Sequence, residues 1–176
     1  MQYSDMTFDV AQIFALLVVL TFLVKPLGGY MKKVYGGERT FLAPVFGLLE
    51  RVLYRVSGIR PDDEMNWKRY AVSMLVFNFV GLVVMLAVLI LQGYLPFNPQ
   101  KFPGFSWHLA INTAVSFVTN TNWQGYGGES TMSYLTQSLA LSVQNFLSAA
   151  TGMAIVIALT RGFARQTAAT VGNFWV

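Results

Sequence analysis

The 176-residue sequence has no cysteine, one histidine and only 11% charged residues. The missing cysteines exclude a disulfide framework, a thiol nucleophile and a thiolate metal site. His108 has no Cys, Asp or Glu close by in sequence, so it reads as an interfacial residue and not as a metal ligand. A membrane enzyme pairing His108 with Glu129 would need groups from opposite ends of one hairpin. No phosphate loop and no Asp-Lys-Thr-Gly motif occur, so nucleotide hydrolysis has no place in this chain. Gly125, Gly127 and Gly128 are not followed by a helix in an aqueous setting, which rules out a phosphate cradle. Nothing suggests a nucleic-acid partner. There is also no carboxylate between Lys101 and Glu129, and that gap matters below.

What the chain does have is apolar length. It is 55% hydrophobic and 15% aromatic, with a mean hydropathy of +0.50, whereas soluble domains carry about 25% charged residues. Charges fall in blocks. No charge lies between Asp9 and Lys25, between Arg69 and Lys101, or between Glu129 and Arg161. A spanning helix needs roughly 20 apolar residues, and runs at about 8–27, 70–92 and 133–160 qualify. The first follows Asp5 and Asp9 instead of a basic region and no small-residue cleavage site follows it, so it reads as a retained span ending near "KPLGG". Nine of the twelve basic residues lie from Lys25 to Arg69, and Arg161 and Arg165 follow the last span. The positive-inside rule then puts 30–69 and the C-terminus in the cytoplasm and the N-terminus outside.

The segment "FLAPVFGLLERVLYRV" places Val45, Leu49, Val52, Leu53 and Val56 opposite Glu50, Arg51 and Arg55. This is an amphipathic helix, suited to the membrane surface, to a partner or to the protein's own inner rim. In "RPDDEMNWKRY" Asp62 or Asp63 is expected to cap the next helix, with Trp67 and Tyr70 as interfacial anchors.

Residues 93–132 are outside by the same reasoning, yet 107–118, "WHLAINTAVSFV", is apolar and helix-compatible, with Ser106 as its N-cap. Twelve helical residues reach about 18 Å, half a bilayer. The pattern predicts a re-entrant hairpin, helical inwards and extended outwards. Irregular backbone survives at that depth only inside protein or along water. Thr119, Asn120, Thr121 and Asn122 start the returning limb, and their neutral oxygens suit a desolvated monovalent cation. The short helix aims the partial negative charge of its C-terminus at the same point, and Asn tolerates left-handed backbone. Gln144, Asn145 and Ser148 in the last span either line a water path or bond between helices. Asn78, Gly81, Ala149, Ala150 and Gly152 leave the same choice open, clearance or close packing.

"NTAVSFVTNTNWQ", "EMNWK" and "VQNFLSAATG" together resemble the KdpA family, the potassium-translocating subunits of bacterial Kdp-type ATPases. The resemblance implies an all-α membrane protein. An N-terminal transmembrane helix (1–29) and a cytoplasmic segment with an amphipathic helix (30–69) would precede one helix–pore-loop–helix repeat of potassium-channel type (70–161). A cytoplasmic tail (162–176) would follow. It implies K+ as the bound ion, with filter residues Val118, Thr119, Asn120, Thr121, Asn122 and Gln124, and possible pore lining by Gln144, Asn145 and Ser148. In the family Asn120 stands where other repeats carry the filter glycine, and Gln124 lies near the ion entrance. Implied partners are the ATP-hydrolysing subunit KdpB, the small membrane subunits KdpC and KdpF, the bilayer of the bacterial inner membrane, and the remaining repeats, since a closed pore takes four. A chain of this length is therefore expected to tetramerise, to pair with a separate remainder or to be a truncated product. A non-transporting assembly subunit and a homotetrameric channel are the competing readings.

Overall fold

A computed structural model describes residues 2–164 and 169–176, with side chains from Phe8 onwards; Arg165 lies outside the described residues. The chain divides into two compact units, 1–59 and 60–176.

In the first unit, helix α1 (Gln2–Tyr35) contains Pro26 and passes through the glycines at 28 and 29. The expected end at "KPLGG" therefore falls instead at Tyr35. Proline removes one backbone donor and one i→i−4 bond, but the turns on either side of Pro26 remain helical. Every residue from Phe8 to Gly29 is exposed. Helix α2 (Ala43–Ser57) follows, starting one residue before Pro44 and ending on the left-handed Gly58. None of its residues is buried. Tyr54 donates to Glu50 Oε1 at 2.7 Å, one helical turn back.

The second unit contains α3 (Trp67–Leu91), α4 (Trp107–Val118), the single turn α5 (Gly128–Thr131) and α6 (Val143–Ala164); a π-helical turn at Thr136–Ser142 leads into α6. Asn66 caps α3, its side chain accepting from Arg69 N at 2.9 Å. Neither Asp62 nor Asp63 does so. Met65 pairs with Gly172 as an isolated antiparallel bridge, which keeps the chain extended until Asn66. Asp63 instead forms an ion pair with Arg69 at 2.8 Å. Tyr70 is not an interfacial anchor either. It is 7% exposed, and its hydroxyl donates to Ala154 O at 2.7 Å.

Three contacts show α3 and α6 running antiparallel. Tyr70 meets Ala154, a Cβ on Gly81 would lie 2.9 Å from Gln144 Oε1, and Gln92 meets Ser133. Helix α4 packs against both. The shared core is Met85, Leu89, Phe105, Ala110, Ala114, Phe117, Met132, Ala140 and Leu141. The C-terminal residues return to α3, where Phe174 packs edge-on against Tyr70 and Phe77.

Candidate functional site

The site is the hairpin that α4 begins. Its top is held by Gln92, fully buried just beyond α3. The Gln92 amide donates to Pro103 O at 2.8 Å and Thr131 O at 2.9 Å, and its carbonyl oxygen accepts from Ser133 N at 2.9 Å. One side chain thus ties the segment entering the hairpin to the segment leaving it. Gly104 lets the entry pass α3, because a Cβ there would lie 2.0 Å from Ile90 O.

From this level α4 descends beside α3. Val118 at its end lines an apolar groove with Leu75, Phe79 and Leu82. These residues lie roughly 15–25 Å along α3 from Gln92 at 1.5 Å per residue. The chain is back beside Gln92 by Thr131. The helix bounds coincide with the expected 107–118, and Ser106 is the N-cap residue, although its side chain makes no capping bond.

The return begins with a run of inward-pointing amides. Asn120 N donates to Phe117 O at 3.2 Å, Thr121 N to Ser116 O at 2.9 Å and Asn122 N to Ser116 O at 3.2 Å. Trp123 N donates to Ser116 Oγ. Thr119 and Thr121 add their hydroxyls, Thr119 to Val115 O at 2.8 Å and Thr121 to Ser116 O at 3.0 Å. Four successive amides therefore face the C-terminal end of α4. An ordinary extended strand cannot do this, because its amides alternate sides. Here Asn120 and Asn122 adopt left-handed backbone, φ 60° and 56°, while Thr119 has φ −85°. Alternating right- and left-handed residues bring successive N–H groups onto one side. No cis peptide occurs among the described residues. In a trans peptide the C=O opposes the N–H, so the carbonyls of Thr119, Asn120, Thr121 and Asn122 face away from α4. Residues 119–124 are all exposed.

The other candidate residues divide. Ser148 donates to Asn120 Oδ1 at 3.2 Å, joining α6 to the loop. Asn122, Gln124 and Asn145 line one recess of about 240 Å³, with Gln137, Ser142 and Phe117. Asn145 Oδ1 is buried there without a hydrogen-bond partner. Gln144 lies elsewhere, packed on Gly81 of α3. Asn78 donates to Met74 O at 2.8 Å within its own helix. Among the described residues, nothing lies within 4 Å of a Cβ placed on Gly152. His108 stacks on Trp107, ring centroids 3.6 Å apart.

Sequence reasoning missed Ser116 and Gln92. A serine inside an apolar helix one turn before its end was the available signal for Ser116. For Gln92 it was an uncharged amide directly after a span.

These features define an all-helical membrane protein with three helices long and apolar enough to cross a bilayer and a fourth, shorter helix leading into a loop of left-handed asparagines. The profile of the KdpA family, described as "Potassium-transporting ATPase A subunit", matches residues 14–176, and the chain belongs to that family. Its relatives include potassium-transporting ATPase potassium-binding subunits from Geobacter metallireducens, Sorangium cellulosum and Pseudomonas entomophila. The first is 57% identical over 91% of this chain and 27% of the relative. The second is 59% identical over 91% and 28%, and the third 52% identical over 97% and 30%. The chain spans under a third of the length of these relatives.

Proposed function

We propose that this chain contributes one wall of a potassium-selective filter to a larger membrane subunit of an ATP-driven potassium uptake complex. The observation that carries the reading is the run of four carbonyls, Thr119 to Asn122, turned away from α4 by amides bonded to its end. Val118 begins this wall, and Gln124 stands beside it in the Asn122–Asn145 recess. Neutral oxygens can replace the hydration shell of K+ and still release it. The C-terminal end of α4 adds the partial negative charge of its dipole behind them. Ser148 supports the wall through Asn120, and Asn145 lines the recess beside it.

The hairpin enters and leaves at the level of Gln92, which supports a re-entrant path from one membrane face. Within unit 60–176, Arg60, Lys68, Arg69 and Arg161 all lie at the Tyr70–Ala154 end of the helices, whereas Lys101 belongs to the Gln92 end. The positive-inside rule makes the first end cytoplasmic. On this reading the protein lies in the bacterial inner membrane, with its N-terminus outside and the end of α6 inside. The exposed face of the loop, with the 490 Å³ groove that runs from Trp107 to Trp123, suits cover by the remaining repeats. ATP hydrolysis falls to the KdpB subunit, with KdpC and KdpF completing the complex.

The test uses the full-length subunit in its complex. Asn120→Asp adds a carboxylate where a neutral oxygen is required, and Gln124→Arg puts a cation beside the wall. Each is expected to raise the K+ concentration for half-maximal uptake by tenfold or more. Uptake with unchanged half-saturation in both variants overturns the reading.

A further inference from the structure

We infer that Ser116 is the residue that sets how many carbonyls the filter wall presents and where the wall stops. The inference rests on the filter reading above and names a positioning residue for it.

Ser116 is 5% exposed, and both its oxygens serve the loop. Its carbonyl accepts from the amides of Thr121 and Asn122 and from the hydroxyls of Thr119 and Thr121. These four donors already share its two lone pairs, and the next amide goes elsewhere. The hydroxyl takes over one residue later. It accepts from Trp123 N and donates to Trp123 O at 3.1 Å. Thr121 Oγ1 completes its shell at 3.4 Å. The consequence is directional. With Trp123 N–H held inwards, the carbonyl of the same peptide, that of Asn122, must face outwards. With Trp123 C=O held inwards by the same hydroxyl, the outward series ends at Asn122. One side chain thus secures the outermost carbonyl of the wall and withdraws the next. Without it, the 122–123 peptide has no anchor on α4 and can rotate, taking one ion-facing oxygen with it. Nothing else on α4 bonds the Trp123 amide, so no neighbouring group replaces the hydroxyl.

Ser116 acts through the backbone of the loop, so the decisive readout is selectivity rather than yield. The experiment compares wild type, Ser116→Ala and Ser116→Cys in the full-length subunit within its purified complex. It measures half-saturating concentrations of K+, Rb+ and Na+ for ATPase stimulation, together with maximal turnover. Ser116→Ala is expected to raise the K+ value about tenfold and to shrink the K+ to Na+ discrimination by a similar factor, with maximal turnover within about twofold of wild type. Ser116→Cys places a larger and weaker acceptor at the same position and is expected to fall between the two. Wild-type discrimination in whichever variants assemble overturns the inference. Gln124→Arg, run alongside, separates the two levels. If Gln124→Arg shifts K+ half-saturation while the Ser116 variants do not, only the role of Ser116 falls. If none of the three shifts it, the filter reading falls as well.

Discussion

Helix α1 and helices α3, α4 and α6 are all apolar in sequence, yet their polar side chains are used in different ways. In α1, Thr21 bonds to Leu17 O at 2.7 Å, a carbonyl of its own helix. In the second unit Asn78, Thr151 and Thr160 do the same, but Gln92, Ser116 and Ser148 bond to loops or to another element. The difference teaches how to rank polar residues in an apolar chain. A hydroxyl that folds back on its own helix makes that helix self-sufficient in lipid. A polar side chain that bonds across elements holds irregular backbone in place, and irregular backbone is where the ion chemistry sits.

Substitutions in the two regions should differ steeply, and the sharpest break is expected where backbone meets backbone. In Gly104→Val the new Cβ would lie 2.0 Å from Ile90 O. Neither backbone can yield cheaply, so a loss of more than about 3 kcal/mol is expected. Recovery of folded complex from detergent should collapse; normal recovery would show that the hairpin entry adjusts freely. Next comes Gln92→Leu. Three backbone groups, Pro103 O, Thr131 O and Ser133 N, lose their partner. Buried groups left unpaired cost about 1–3 kcal/mol each, so thermal unfolding in detergent should shift by the equivalent of at least about 3 kcal/mol. The smallest effect belongs to α1. Thr21→Ala removes a bond that only duplicates helical pairing, and its stability change is expected within about 0.5 kcal/mol. A large effect there would erase the contrast between the two regions.

The local features were legible in the sequence. Trp107–Val118 was bounded correctly because an apolar 3.6-residue pattern starts after Ser106 and stops at Thr119. The amphipathic helix from Ala43 was legible for the same reason. Asn120 and Asn122 were expected to tolerate left-handed backbone, and both adopt it, whereas Gly125, Gly127 and Gly128 do not. An asparagine can do what a glycine cannot here: the Asn120 side chain accepts from Ser148 while its backbone turns. One error was local and two were non-local. "KPLGG" looked like a terminus because proline and glycine usually break helices in water. Asp62 and Asp63 looked like caps because the bridge to Gly172, more than a hundred residues away, leaves no trace in a local window. Tyr70 looked like an anchor because its partner, Ala154, sits on another helix.

The sequence by itself determined the three apolar lengths, the half-length helix and the neutral polar stretch after it, since hydropathy and helical period are properties of neighbouring residues. Only the tertiary structure decided which way the carbonyls of 119–122 face. That direction depends on where each amide finds an acceptor, and the acceptors, Phe117 and both oxygens of Ser116, come within reach only once the chain has reversed against the end of α4.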